Sequence, residues 1–288
     1  MSDQAENLRN QFKNKGPKRT KTIAVISGKG GVGKSNFSLN FSLALSESGK
    51  KVLLFDMDIG MGNIDILMGV SSSYSFVDMF EKQLSLREII KHVPDQLSYI
   101  SGGTGLSGLF KLDQQKFDFF VNQLNGILPE YDCLIFDMGA GISEENLQFL
   151  LTVDEIFIIT TPEPTAITDA YSAMKHICAY TKDIPFYLIV NKAHSEKEGI
   201  ATIERIDHAV RHFLLKDTIK LGSLPEDKNV SKAVKSQVPF LFYSPKSNIS
   251  KSMREIVKNY RLSTLSQEEK NKEHTPFIFK LRQLISKR

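Results

Sequence analysis

The chain reads as an α/β protein, a doubly wound, mostly parallel sheet with helices on both faces. Three observations predict this. Short apolar runs recur at 22–26, 51–56, 97–100, 132–137, 155–161, 186–191 and 219–224. Helical patterns at 36–48, 113–128, 143–151, 165–180 and 199–213 separate most of them. A glycine-rich turn, Gly28-Lys29-Gly30-Gly31-Val32-Gly33-Lys34-Ser35, joins the first strand to the first helix. Strands that alternate with helices pair in parallel and are covered on both faces, and right-handed crossovers wind the sheet both ways.

Taken in order, residues 1–20 are a polar arm. TIAVI at 22–26 is apolar and β-branched, the mark of a buried strand. The helix at 36–48 sets Phe37, Phe41, Ala44 and Leu45 on one face. KVLLFD (51–56), DCLIFD (132–137), EIFIITT (155–161) and FYLIVN (186–191) are further strands, and 97–100 and 219–224 complete the sheet. Ser244-Pro245 is expected to start another helix, with Ser244 as N-cap and Pro245 in the first turn. Its apolar face would be Ile249, Met253, Ile256, Val257 and Tyr260. Residues 262–275 read as a polar connector and 277–286 as a final helix. There is no internal repeat and no second globular domain in this reading. It divides the chain into an arm (1–20), one domain (21–261), and a connector with its helix (262–288).

The 288 residues are 41% hydrophobic and 24% charged, ordinary for a globular chain and enough for one large α/β domain. The two cysteines, Cys133 and Cys178, lie far apart, which argues against a disulfide framework and a multi-cysteine zinc site. The six histidines lack the spacing of transition-metal ligands. No uncharged apolar run is long enough to span a bilayer. The start is polar and unlike a secretory signal, so a cytosolic location is expected. The net charge of +4 is unevenly placed. Arg9, Lys13, Lys15, Lys18, Arg19 and Lys21 crowd the start; Lys280, Arg282, Lys287 and Arg288 crowd the end.

Ligands of doubly wound sheets bind at the C-terminal ends of the strands. The chemistry is therefore expected at the glycine-rich turn, at Asp56 and Asp58, at Asp137, at Asn191, and at Pro225, Glu226 and Asp227. The turn fits G-x-x-x-x-G-K-[ST]. Gly28, Gly30, Gly31 and Gly33 let backbone amides wrap phosphate oxygens. Lys34 can reach the β- and γ-phosphates, and the Ser35 hydroxyl can ligate Mg²⁺. The helix that opens at Asn36 turns its positive end toward the anion. Asp137 ends a strand and precedes Met138-Gly139-Ala140-Gly141, so it is placed to bind Mg²⁺ through water. The glycines after it would let a backbone N–H approach the terminal phosphate. Alternation puts Asp56 and Asp58 on one side of the chain; one can serve Mg²⁺ and the other can orient an attacking water.

Lys29 to Ser35 resembles the deviant Walker A loop of the MinD/ParA family. FDMDIGMGNID (55–65) and DMGAGIS (137–143) resemble that family's switch I and switch II. TTPEPTAITDAY (160–171) and LPEDKNVSKAVKSQVPF (224–240) resemble its later segments. The resemblance covers nearly all of 21–260. It implies an ATPase that binds ATP or ADP with Mg²⁺ and forms a homodimer with ATP. Lys29 would be the signature lysine, reaching across the dimer to the partner's phosphates, and with Lys34 and Asp58 it would make up the catalytic set. Asp58 would position the hydrolytic water. Gly28 to Asn36, Val32 included, and Gly141 would contact the nucleotide; Ser35, Asp56 and Asp137 would hold Mg²⁺. Asn191 and the stretch Pro225, Glu226 and Asp227 would hold adenine. A lysine offered in trans makes hydrolysis depend on dimerisation, as an arginine finger does. Gly139 departs from the pattern, since family members often have proline there.

The two ends point to a branch. Asp3-Gln4-Ala5-Glu6-Asn7-Leu8-Arg9 resembles the DQAxxLR element of the FlhG (YlxH/FleN) branch, which sets flagellar location and number. In that branch the element stimulates FlhF, a GTPase of the signal-recognition-particle type; here Asp3, Gln4, Ala5, Leu8 and Arg9 would carry it. From the residues alone, Ala5, Leu8 and Phe12 share one face of a short helix. An arm with so few apolar residues is expected to order only on binding. At the other end, Phe277, Ile278, Leu281, Leu284 and Ile285 recur at helical spacing, with Lys280, Gln283 and Lys287 on the other side. A helix over 277–288 is about 18 Å long, too short for ~30 Å of hydrocarbon. It suits lying in the interface beside anionic lipids. Docking on the core is the competing expectation, and both hold if the helix is docked without ATP and released with it. The helix at 199–213 carries Arg205, His208, Arg211 and His212, which read as a solvated face, a docking face for flagellar basal-body (C-ring) proteins, or a DNA face. Two alternatives stand beside this reading. A ParA-type partition ATPase would bind DNA through basic patches, but the chain ends disfavour nucleic acid as partner. An iron–sulfur carrier ATPase of related fold needs paired thiolates, and a strand cysteine with a mid-helix cysteine offers no evident cluster site.

Overall fold

The computed structural model describes residues 19–57, 63–70, 74–93, 97–102, 114–268 and 275–286. Among these, eight strands form one sheet: β1 (Lys21–Ile26), β2 (Val52–Met57), β3 (Lys91–Val93), β4 (Leu97–Ile100), β5 (Cys133–Met138), β6 (Glu155–Thr160), β7 (Phe186–Ala193) and β8 (Thr218–Pro225). Their order is β3-β4-β2-β5-β1-β6-β7-β8. Every neighbouring pair is parallel except β3 with β4. β2, β5 and β6 are buried along their whole length. That is why they read as unbroken apolar runs, since both sheet faces are covered.

One face carries α1 (Lys34–Glu47), α2 (Asn63–Met68), α9 (Lys228–Lys235), α10 (Phe240–Tyr243) and α11 (Asn248–Glu268). The other carries α3 (Phe76–Glu81), α4 (Leu86–Ile89), α5 (Gln114–Ile127), α6 (Glu144–Leu150), α7 (Pro164–Cys178), α8 (Glu196–Ala209) and α12 (Phe277–Ser286). Aromatic rings fill the first core. The Phe157 ring lies 5.2 Å from Phe41, 5.0 Å from Tyr187 and 5.3 Å from Tyr260. The Tyr260 hydroxyl donates to buried Glu155 at 2.8 Å, and Lys21 pairs with the same carboxylate at 3.0 Å. Burial pushes the Glu155 carboxyl up. These contacts fasten α11 to the N-terminal end of β6, opposite the end where a ligand binds.

The expected strands and helices have counterparts, but helices α2, α3, α4 and α9 were not foreseen, and four further differences stand out. β3 is a three-residue antiparallel edge strand of half-buried and exposed residues, too short to show a pattern. α11 begins at Asn248, not at Pro245. Residues 240–243 form α10 instead, and the Ser244 N–H closes it on the Phe240 carbonyl at 2.9 Å. Ser247 then caps α11, accepting from the Ser250 N–H at 3.4 Å. α11 also runs to Glu268, so 262–268 are helical where a connector was expected; no Gly or Pro interrupts them. α8 starts at Glu196, three residues before the expected 199, because Ser195 caps it by accepting from the Glu198 N–H at 3.2 Å. It ends in a π-turn, Val210–Leu214.

The final helix has its expected bounds and is docked. Phe277 and Leu281 are 4% and 0% exposed, and Ile278 packs beside them. The Phe277 ring lies 5.6 Å from Phe136 and 6.1 Å from Phe149. Arg282 donates to Asn122 of α5 at 2.6 Å. The face expected to meet lipid is thus the face held against β5, α5 and α6. Among the described residues no helix is long and apolar enough to cross a membrane. The arm with Asp3, Gln4, Ala5, Leu8 and Arg9, the side chains of Leu284 and Ile285, and Asp58 lie outside the described residues.

Phe157→Ala should remove the centre of the ring cluster at a cost of about 3–5 kcal/mol. Urea unfolding followed by circular dichroism measures this; a loss below about 1 kcal/mol would contradict the packing described.

Candidate nucleotide site

The glycine-rich turn leaves the C-terminal end of β1 and enters α1 at Lys34. Two glycines have no substitute. A Cβ on Gly28 would sit 2.2 Å from the Asp169 carbonyl carbon, and one on Gly33, at φ +89°, would sit 2.4 Å from Asn191 Nδ2. Loop, α7 and β7 therefore approach so closely that only glycine fits.

Lys34 is 6% exposed, and its Nζ donates to Asp137 Oδ1 at 2.8 Å. The Ser38 hydroxyl, one turn along α1, donates to the same oxygen at 2.8 Å. Asp137 is fully buried, and its Oδ2 is buried without a partner. Asp56 is its register neighbour across β2 and β5, is 1% exposed, and accepts from the Ile64 N–H at 3.4 Å. Two buried carboxylates stand side by side, and one keeps a bare oxygen. A buried polar atom left unpaired costs about 1–3 kcal/mol. A hard cation with oxygen ligands removes that cost, so these residues fit Mg²⁺. Asp56, Asp137 and the half-buried Ser35 would hold it directly or through water, and it would neutralise phosphate charge.

Lys29 does not lean over the loop. Its Nζ lies 2.5 Å from Glu163 Oε2 and 3.0 Å from Thr165 Oγ1, at the start of α7. The ammonium holds the Glu163 carboxyl below its ordinary value. Gly141, at φ +77°, donates its N–H to the Ser27 carbonyl at 3.1 Å. That donor, expected near the terminal phosphate, here ties switch II to the end of β1.

The residues expected around adenine gather at the ends of β7 and β8, but several are already engaged. Asn191 Nδ2 donates to the Val32 carbonyl at 2.8 Å, and Lys192 Nζ donates to the Gly31 carbonyl at 2.7 Å. Both clamp the loop. The Glu226 N–H bonds the Ala193 carbonyl at 2.9 Å, and its carboxylate meets His194 at 2.9 Å. Asp227 caps α9, accepting from the Asn229 N–H at 2.8 Å. Pro225 ends β8. The Asn36 carbonyl accepts from the Asn40 amide at 2.9 Å. Sequence reasoning missed Ser38, Glu163, Thr165 and Lys192. Ser38 carried a usable signal, lying one helical turn past Lys34, whereas the partners of Lys29 are more than 130 residues away.

A family model described as an AAA domain matches residues 20–185. The chain is 35% identical over 270 residues to the flagellum site-determining protein YlxH of Helicobacter pylori, covering 89% of each. It is 30% identical over 234 residues to the antiactivator FleN of Pseudomonas aeruginosa, covering 81% of this chain and 84% of that one. The chain belongs to the YlxH/FleN family of MinD-like ATPases. The fold agrees. The septum site-determining protein MinD of Pyrococcus horikoshii, solved with Mg-ADP, superposes with a TM-score of 0.68 at 22% identity, over 86% of this chain and 97% of that one.

Ser38 is placed to position Asp137: it and Lys34 share one carboxylate oxygen and leave the other buried and unpaired. Losing a hydrogen bond to a charged group costs roughly 1.5–3 kcal/mol. Ser38→Ala should therefore raise the Mg²⁺ concentration for half-maximal nucleotide binding about tenfold, read by Mg²⁺ titration against a fluorescent ADP analogue. An unchanged Mg²⁺ requirement would contradict the role.

Proposed function

We propose that this ATPase is a dimer switch that controls the placement and number of bacterial flagella. ATP brings two copies together, and hydrolysis to ADP and phosphate returns them to monomers. The observation that carries the reading is the seat of α12. Phe277 lies between Phe136, the residue before Asp137, and Phe149 on α6, the helix that follows switch II. A movement of switch II toward a bound γ-phosphate shifts both walls of that seat. Release of α12 would then free Phe277, Ile278, Leu281, Leu284 and Ile285, with Lys280, for the anionic inner face of the cell membrane. Two such helices in one dimer bind far better than one, because the second binds at high effective concentration. The protein would thus be cytoplasmic without ATP and peripheral on the membrane with it.

The same account assigns the remaining sites. Lys29 leaves Glu163 and reaches the partner's phosphates, so hydrolysis waits for the dimer. Asp58 orients the water. The arm, through Asp3, Gln4, Ala5, Leu8 and Arg9, stimulates an FlhF-type GTPase; the resemblance of Asp3 to Arg9 to the DQAxxLR element supports that reading. Flagellar basal-body proteins are the expected partners of the outer face of α8, where Arg205 and His208 are exposed.

Two experiments test this. Size-exclusion chromatography with light scattering should give a monomer with ADP, a transient dimer with ATP and a trapped dimer for Asp58→Ala with ATP. A variant that stays monomeric with ATP would remove the role given to Asp58. A peptide of residues 1–20 should raise GTP turnover by an FlhF-type GTPase, and turnover equal to the control without peptide would remove the role of the arm.

A further inference from the structure

The outward face of α11 has no part in the nucleotide site, and its composition is unusual. Lys251, Arg254, Lys258 and Arg261 fall within about 120° of one another at 3.6 residues per turn. Leu262 and Leu265 extend the same face and are 56% and 63% exposed. Counter-charges are few. Glu47 of α1 holds Arg254 at 2.8 Å, and Glu255 meets Lys258 at 3.3 Å. Among the described residues Lys251 and Arg261 have no ion pair. Beside the leucines, a groove of about 360 Å³ opens between the ends of α1 and α11, lined by Ala44, Ser48, Val257 and Leu265 among others.

Position adds to composition. The groove meets Glu47 and Ser48, where α1 ends. α1 starts at the nucleotide loop and runs back along the sheet, so the leucine end of the stripe lies far from the triphosphate. In the sequence the stripe lies on the helix that precedes α12.

We propose that the outward face of α11 is a second membrane-contact surface, specific for anionic phospholipid and separate from α12. Cations backed by exposed leucines match the two layers of such a bilayer, phosphate outside and hydrocarbon just beneath. A DNA backbone has no counterpart for Leu262 and Leu265. A second copy of the same face is repelled by its own charge. Because the face is exposed while α12 is docked, it gives a weak, salt-sensitive attraction with any nucleotide. It adds to the α12 anchor with ATP. The inference rests on the membrane reading of the previous section but uses different residues.

The test uses the full chain with a slowly hydrolysed ATP analogue and vesicles of phosphatidylcholine, with or without phosphatidylglycerol. Each cation near an anionic surface is worth about a factor of five in affinity, ~1 kcal/mol. Lys258→Glu with Arg261→Glu should weaken binding to phosphatidylglycerol vesicles about tenfold or more. Leu262→Ser with Leu265→Ser should weaken it several-fold at fixed salt. All four residues are exposed, so the melting temperature and nucleotide affinity should not move. If the unaltered protein binds vesicles and these variants bind equally well, the α11 proposal is overturned while the α12 reading stands. If the unaltered protein binds no vesicles, both fall. If the charge variants lose duplex-DNA retention but keep vesicle binding, the face is a nucleic-acid surface and the proposal is wrong.

Discussion

The buried pair of Lys34 and Asp137 sets the terms for the rest of the molecule. Two charges taken out of water are expensive, and the cost is met only with good geometry and further hydrogen bonds. Here the geometry is fixed by α1 starting at Lys34, by β5 ending just past Asp137, and by Ser38 as a second donor to the same oxygen. Asp137 Oδ2 is the part left unsatisfied. A site that stores a bare carboxylate oxygen beside a lysine and a second buried aspartate is poised for a cation and a polyanion together. The close approaches at Gly28 and Gly33 serve the same end, since they let α7 and β7 brace the loop from outside.

β5 carries that site at one end and the docking surface of α12 one residue back. Neighbouring strand residues point to opposite faces. Asp137 therefore belongs to the nucleotide side, while Phe136 meets Phe277 on the other side. The seat is modest. Burying a large apolar side chain is worth roughly 1.5–3 kcal/mol, so Phe277 and Leu281 together give about 3–6 kcal/mol before the cost of ordering the helix. A ligand changes the occupancy of that seat only by its difference in affinity for the docked and released states, so release would need a preference of a few kcal/mol directed at switch II.

Much of this was legible in the sequence, for identifiable reasons. Strands buried on both faces show as unbroken apolar runs, so β1, β2, β5, β6 and β7 were readable. The loop was readable because phosphate geometry demands glycine and lysine at fixed spacing. β3 was not, since three residues at an edge carry no pattern. The start of α11 was misplaced because Ser244-Pro245 looks like a cap, whereas the chain uses Ser244 to end α10 and Ser247 to begin α11. The first half of the connector was misread because 262–268 has no Gly or Pro, and its leucine, glutamine and glutamate residues favour a helix with a solvated face. Lys29 is expected from the resemblance to reach across a dimer; its place beside Glu163 and Thr165 was not legible, because those contacts are made only by the fold.

The central claim is that the nucleotide site and α12 share one mechanical element. Amide hydrogen exchange across 277–286, compared with ADP and with a slowly hydrolysed ATP analogue, tests it most directly. The account predicts protected amides in α12 with ADP and a large loss of protection with the ATP analogue, while β5 stays protected in both. Equal protection of α12 in the two states would contradict it.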